Sequence, residues 1–304
     1  MRTVYLGTSA FAAEVLRSLA DSPHRPQLLI SRPDSPQGRG RRLTAPPAVL
    51  VARELGIEVH QPQSVNDEQA RAIIGAAQPD ALCVCAFGAL IREPLLSDRL
   101  ILNVHPSLLP RWRGAAPVER AILAGDQRTG VSIMQLTAGL DSGPVCLQES
   151  LQIAPDDDYG SLAARLQLLG SRLIVQAFDE LAAGTLAARF SEQPQAGVTY
   201  AEKLTAEDRL LHPARPAAEL ALRVRALSPH IGARLQLDDG TLLGVWRASV
   251  EVEGGALAGE RPTLDLDGEL PALQTASGRL LLELVQPPGK RVMSGADYLR
   301  GHRR

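Results

Sequence analysis

The 304-residue chain is 45% hydrophobic and 22% charged, and 32 Lys and Arg against 34 Asp and Glu give a net charge of -2. Those figures exclude a disordered chain, leave room for two domains and exclude a general attraction to nucleic acid, so any RNA contact has to come from local basic patches. No apolar stretch reaches the roughly 18 residues of a membrane helix, and Thr3-Val4-Tyr5-Leu6 meets a glycine turn too soon for a signal peptide. A cytoplasmic protein with no membrane partner is expected.

Short apolar runs at 4–6, 28–31, 57–60, 81–86 and 100–105 are predicted strands, and amphipathic patterns at 12–19, 48–55 and 69–77 are predicted helices between them. Alternation of this kind predicts a Rossmann-like α/β domain, a parallel sheet wrapped by helices. Strands at 131–136 and 145–153 and a long helix near 162–183 complete a first domain over 1–184. The Gly-, Pro- and Gln-rich stretch that follows makes 185–203 a linker. Residues 204–304 then combine one helix, 217–227, with strands at 233–237, 242–249, 272–275 and 280–285, separated by the turn signals Asp238-Asp239-Gly240 and Ser277-Gly278. They describe a small β-rich domain, a barrel or a sandwich. The three cysteines, Cys83, Cys85 and Cys146, read as buried free thiols, the first two on one face of a strand.

Gly7-Thr8-Ser9 opens like a nucleotide-binding fold but lacks the rest of a G-x-G-x-x-G pattern, so it also reads as a tight strand-to-helix turn with Ser9 as cap. Ligands in such folds bind at the carboxyl ends of the parallel strands, which directs the search to the segments after Leu6, Ser31, Ala86 and His105. There stands Asn103-Val104-His105-Pro106-Ser107-Leu108-Leu109-Pro110, followed by Arg111-Trp112-Arg113-Gly114-Ala115-Ala116-Pro117. Two residues apart on a strand, Asn103 and His105 share a face. Later comes Gly139-Leu140-Asp141-Ser142-Gly143, which places an acid in a glycine-fixed loop.

The run 103–117 and the loop 139–143 resemble the signature of the folate-dependent formyltransferases. Residues 7–12, the 33–43 loop, Tyr200-Ala201-Glu202-Lys203-Leu204 and Pro288-Gly289-Lys290-Arg291-Val292-Met293-Ser294 resemble landmarks of the branch of that family that acts on tRNA. The last two lie outside the catalytic domain shared with relatives that act on small amines. The resemblance implies a Rossmann-like formyltransferase domain followed by an OB-like β-barrel that binds tRNA. It implies a monomeric enzyme moving the formyl group of 10-formyltetrahydrofolate, with no metal, to the α-amino group of methionyl initiator tRNA.

Formyl transfer to an amine passes through a tetrahedral adduct whose oxygen is negative and whose nitrogen is positive, so it needs a donor for the oxygen and a route for a proton. Asn103 supplies an amide donor, His105 a second one, and Asp141 can orient His105 and help move the proton. The resemblance assigns these three the catalytic positions. It also implies that Ser107, Leu108, Leu109 and Pro110 border the folate and that Phe87, Gly88 and Leu90 line its pterin wall. On the residues alone, Ser107 serves equally as a turn residue and Phe87 equally as core.

The loop 32–43 sets Arg39, Arg41 and Arg42 among glycines with no apolar periodicity. It reads as a mobile basic finger suited to phosphates and base edges, or as a solvated loop. The resemblance implies that it enters the acceptor arm of the tRNA. Residues 204–304 carry thirteen Lys and Arg and thirteen Asp and Glu, so a tRNA face there depends on arrangement. Lys290 and Arg291, with Arg300, Arg303 and Arg304, form the clearest cluster, and a solvated tail is the alternative. A formyltransferase for an amino sugar or other small amine and a non-catalytic folate-binding or formate-releasing hydrolytic relative remain open beside the tRNA enzyme.

Overall fold

The computed structural model describes residues 1–37, 42–251 and 264–302. Seven strands form the central sheet: β1 (Thr3–Gly7), β2 (Pro26–Ile30), β3 (Glu58–His60), β4 (Ala81–Cys85), β5 (Ile101–His105), β6 (Arg128–Gln135) and β7 (Val145–Gln152). Their order across the sheet is β7-β6-β5-β4-β1-β2-β3. The first five run parallel, and β1, β4 and β5 are buried along their whole length, as strands covered on both faces must be. Because the chain leaves β1 toward β2 and returns to β4 on the other side, β1 and β4 flank the topological switch point.

The strands expected at 131–136 and 145–153 carry no direction in the sequence reading, and in the structure β6 pairs antiparallel with both β5 and β7. The nine residues between β6 and β7 are too few for the dozen or more that a parallel crossover needs, so the pair can only fold back on itself.

Helices α1 (Ala10–Ala20), α2 (Pro47–Glu54), α3 (Glu68–Ala76) and α4 (Tyr159–Ala182) follow the predicted amphipathic stretches. Ser9 caps α1, its hydroxyl accepting from the Ala12 amide at 3.3 Å. Gly7 makes that turn possible, because a Cβ there would lie 2.9 Å from Ala12 and 3.2 Å from the Cys85 carbonyl. All three cysteines are buried and free. The loop of the basic finger begins and ends as a hairpin, Ser35–Gln37 pairing antiparallel with Arg42–Thr44.

By compactness the chain divides into a unit of Met1–Pro117, Arg128–Gln152 and Ala163–Ala201 and a unit of Val118–Gln127, Ile153–Leu162 and Glu202–Arg304. Residues 185–201, read from composition as linker, thus belong to the first unit, where Tyr200–Ala201 pairs with Arg113–Gly114. In the second unit, β8 (Ala233–Gln236), β9 (Leu242–Glu251), β10 (Leu264–Asp265), β11 (Ala272–Gln274), β12 (Arg279–Gln286) and β13 (Met293–Ser294) form one antiparallel sheet in the order β8-β9-β12-β11-β10, with β13 on β12. Helix α5 (Ala217–Leu227) packs Leu220, Val224 and Leu227 against Leu235, Val245 and Leu282 of that sheet, and α6 (Gly295–His302) adds Tyr298. An antiparallel sheet around a single apolar core is the pattern of a small barrel.

Candidate active site

The site begins at the end of β5. Asn103 sits between Val84 of β4 and Met134 of β6, and His105 opposite Ser132 of β6, so the strand is fixed on both sides. Between them Val104 points to the face covered by α4, whose Gly170 comes so close that a Cβ there would lie 2.8 Å from a Val104 methyl. With side chains alternating, Asn103 and His105 both point to the opposite face. They are 8% and 4% exposed, a nearly dry pair at the strand end.

The turn that follows is braced from several directions. The Ser107 amide donates to the His105 carbonyl at 2.9 Å and its hydroxyl to the Arg111 carbonyl at 2.6 Å. From β6, the Ser132 hydroxyl donates to the Ser107 carbonyl at 2.7 Å and accepts from the Leu109 amide at 3.1 Å. Gln148 of β7 donates to the Leu109 carbonyl at 3.0 Å and to Ser132 Oγ at 2.8 Å. The antiparallel edge strands therefore act as the turn's anchor.

Trp112 adopts a left-handed backbone, φ 63°, and its amide donates to Thr199 Oγ1 at 2.9 Å. Its carbonyl is thereby presented to His105 Nε2 at 2.8 Å. A carbonyl only accepts, so Nε2 carries a hydrogen and Nδ1 is the ring nitrogen left for chemistry. Nδ1 lies 3.7 Å from Asp141 Oδ2, closer than a Debye length by far but too long for a direct hydrogen bond. Oδ2 in turn accepts the Gly114 amide at 2.8 Å. Gly114 itself has φ 125°, and a Cβ there would come within 2.7 Å of the Ala201 carbonyl, so this hold on Asp141 depends on glycine. Asn103, His105 and Asp141 thus include one neutral amide donor, one ring nitrogen of fixed tautomer and one carboxylate able to steer it.

Two family profiles match the chain: one described as formyl transferase over residues 1–178, the other as formyl transferase, C-terminal domain, over 203–303. The chain belongs to the formyl transferase family. It is 42% identical over 311 residues to a methionyl-tRNA formyltransferase of Halorhodospira halophila, covering 99% of this chain and 96% of that one. It is 43% identical over 308 residues to the methionyl-tRNA formyltransferase of Acidithiobacillus ferrooxidans, with 99% and 96% covered. Among solved structures, Aquifex aeolicus HypX in complex with tetrahydrofolic acid matches with a TM-score of 0.64 at 17% identity, over 98% of this chain and 47% of that one. An N-formyltransferase from Helicobacter canadensis matches with a TM-score of 0.66 at 13% identity, over 92% and 98%. At such identities these two likenesses speak to fold.

Within the formyl transferase fold, the residues nominated from sequence for the folate divide by exposure. Ser107 and Leu109 are buried, and the Ser107 hydroxyl is already engaged in the turn. Phe87 is buried in the cluster of Val4, Leu6, Leu28 and Val84, so its side chain is core. Its carbonyl accepts from Thr8 Oγ1 at 2.8 Å, a bond that crosses the switch point from the end of β1 to the end of β4. Gly88, with φ 75°, offers its carbonyl to Arg32 Nη1 at 3.4 Å, whereas Leu90 is 62% exposed and its carbonyl accepts from Asn66 Nδ2 at 2.8 Å. Thr8, Trp112, Gly114, Ser132 and Gln148 carry the site's geometry, yet no residue-type signal in the sequence marks them apart from their place at strand ends.

Arg42 is exposed at the foot of the hairpin, and Arg39 and Arg41 lie outside the described residues. In the second unit Lys290 and Arg291 are exposed on the turn between β12 and β13, where the Lys290 amide donates to the Pro287 carbonyl at 3.1 Å. Arg300 is paired with Asp297 on α6, and Arg303 and Arg304 lie outside the described residues.

Proposed function

We infer that this chain transfers the formyl group of 10-formyltetrahydrofolate to the free α-amino group of methionyl initiator tRNA, giving the N-formylmethionyl-tRNA that opens translation. The observation that carries the chemistry is the pairing of Asn103 and His105 at a nearly dry strand end with Asp141 3.7 Å from the His105 ring. The choice of acceptor is supported by methionyl-tRNA formyltransferases at 42% and 43% identity along 99% of the chain.

Each residue has a definable task. The amine nitrogen attacks the formyl carbon, and Asn103 donates to the carbonyl oxygen as it gains negative charge. His105, held by Trp112 through Nε2, turns Nδ1 to the same centre. Asp141 steers that ring and takes part in moving the proton that the amine nitrogen loses and the folate nitrogen gains as its bond to carbon breaks. The switch-point crevice and the Ser107–Pro110 turn hold the folate, with Phe87, Gly88 and Leu90 as the pterin wall, contributed through backbone where the side chain is core. Arg39, Arg41, Arg42, Lys290 and Arg291 meet the tRNA. The unit that holds Asn103, His105 and Asp141, residues 185–201 included, carries catalysis, and the β-rich domain of 204–304 binds the tRNA. The enzyme is proposed to act as a monomer in the cytoplasm.

The test is formylation of methionyl initiator tRNA beside methionyl elongator tRNA with a 10-formyl folate donor. Preference for the initiator, weakened by salt, is expected. Equal turnover of an amino sugar, or release of formate with no amine present, overturns the assignment.

A further inference from the structure

Asp141 is held in a conformation that a non-glycine residue resists, φ 42°, and such strain persists only where surrounding bonds impose it. One of those bonds is the Gly114 amide on its carboxylate. The other comes from Gln193, in the stretch that composition marks as linker. Gln193 Nε2 donates to the Asp141 carbonyl and to the Gly143 carbonyl, each at 2.8 Å, clamping the loop on both sides of Ser142. Gln193 Oε1 accepts from Arg113 Nε at 3.0 Å and Nη2 at 2.8 Å. The amide cannot be turned over, because a guanidinium only donates and a carbonyl only accepts. Gln193 and Arg113 are 8% and 7% exposed, so these bonds are made where water does not compete. Arg113 is itself fixed by its amide on the Thr199 carbonyl at 2.9 Å, and the next residue, Gly114, supplies the bond to the carboxylate. Both ends of Asp141 are therefore gripped from the short strand Arg113–Gly114, one directly and one through Gln193.

We propose that Gln193 is a positioning residue for formyl transfer, backed by Arg113 and acting through Asp141 to set the distance between its carboxylate and His105 Nδ1. The proposal rests on the reading of Asp141 given above. Gln193→Glu isolates the clamp. The carboxylate still accepts from Arg113, so the buried guanidinium keeps a partner, but both donors to the loop carbonyls are replaced by oxygen.

A displacement of about 1 Å at reacting groups costs on the order of 10²-fold. Gln193→Glu should therefore lower kcat by 10- to 100-fold, on the order of that cost, and shift the pH profile toward that of Asp141→Asn. KM for initiator tRNA and folate affinity should stay nearly unchanged. In an Asp141→Asn background the same substitution should cost no more than about twofold, because residues acting as one unit are not additive. Equal losses in both backgrounds overturn the proposal while leaving Asp141 in the mechanism. Normal turnover in Asp141→Asn alone removes Asp141 from the mechanism and the proposal with it. Should Gln193→Glu fail to fold, Arg113→Lys loosens the same clamp from its other end while keeping a cation, and its loss of kcat must likewise vanish in Asp141→Asn.

Discussion

Asn103→Ala tests the oxyanion argument with the least structural disturbance. Asn103 lies mid-sheet with Val84 and Met134 as its register partners, so the backbone pairing does not depend on its side chain. What is lost is one amide donor in a site where Asn103 is 8% exposed and water is a poor substitute. A hydrogen bond to a charged group contributes about 1.5–3 kcal/mol net, and a dry oxyanion donor about 2.7–4 kcal/mol. At about 1.36 kcal/mol per tenfold, the larger range corresponds to a fall in kcat on the order of 10²–10³. Because the charge appears only in the transition state, KM for initiator tRNA and folate affinity should remain close to those of the unaltered protein. Steady-state formylation at saturating tRNA, with folate binding followed separately by fluorescence, separates the two. Unchanged kcat with weakened folate binding would move Asn103 out of the chemistry and into the folate pocket.

Asp141→Asn keeps size and one acceptor for the Gly114 amide but removes the charge beside His105 Nδ1; turnover should drop and the pH profile should change shape, whereas a loss of melting temperature with full activity per folded molecule makes the residue structural. Arg42→Ala should reduce the slope of tRNA affinity against salt by about 0.7 to 0.9 if one phosphate contact is lost, with initiator tRNA losing more than elongator if the hairpin reads the acceptor end. An unchanged slope sinks the contact. Burial pushes the Cys85 thiol up to about 12 and the Cys146 thiol to about 11, and raises Cys83 as well. Such groups stay protonated in the fold while the unfolded chain ionises above about 8.5, so their stabilisation is full below that pH and is lost as pH rises toward the folded values, by up to about 1.4 kcal/mol per unit per thiol. Urea midpoints should fall between pH 8 and 10, and thiol reagents at pH 8 should label the native protein far more slowly than the unfolded one; equal labelling rates refute the burial.

Much of this architecture is written in periodicity. Ala81–Cys85, apolar at every position, could only be covered on both faces, and in Ile101–His105 the side-by-side placement of the two polar residues, Asn103 and His105, follows from strand geometry alone. Direction is another matter. Neither the nearly buried Arg128–Gln135 nor the half-exposed Val145–Gln152 carries a mark of direction in its residues, and their antiparallel pairing is set by the length of the loop between them. The approach of Asp141 to His105 joins a loop to the end of a strand that precedes it by 36 residues, and Gln193 sits in a Gly- and Pro-rich stretch with no period to betray it.

What escaped the sequence shares a physical character. Four non-glycine residues among those described adopt positive φ, and three of them stand at the ligand edge: Ala86 directly after β4, Trp112 at the carbonyl that fixes His105, and Asp141 in its loop. A bulky ring at φ 63° opposes local preference, as does an alanine at 42°. Local rules therefore fail at this strand end, because the geometry that holds the His105 ring beside Asp141 is imposed by tertiary bonds made by Thr199, Gly114 and Gln193 and not by the residues being held. Removing any one of those bonds should show up at His105 before it shows up in the fold.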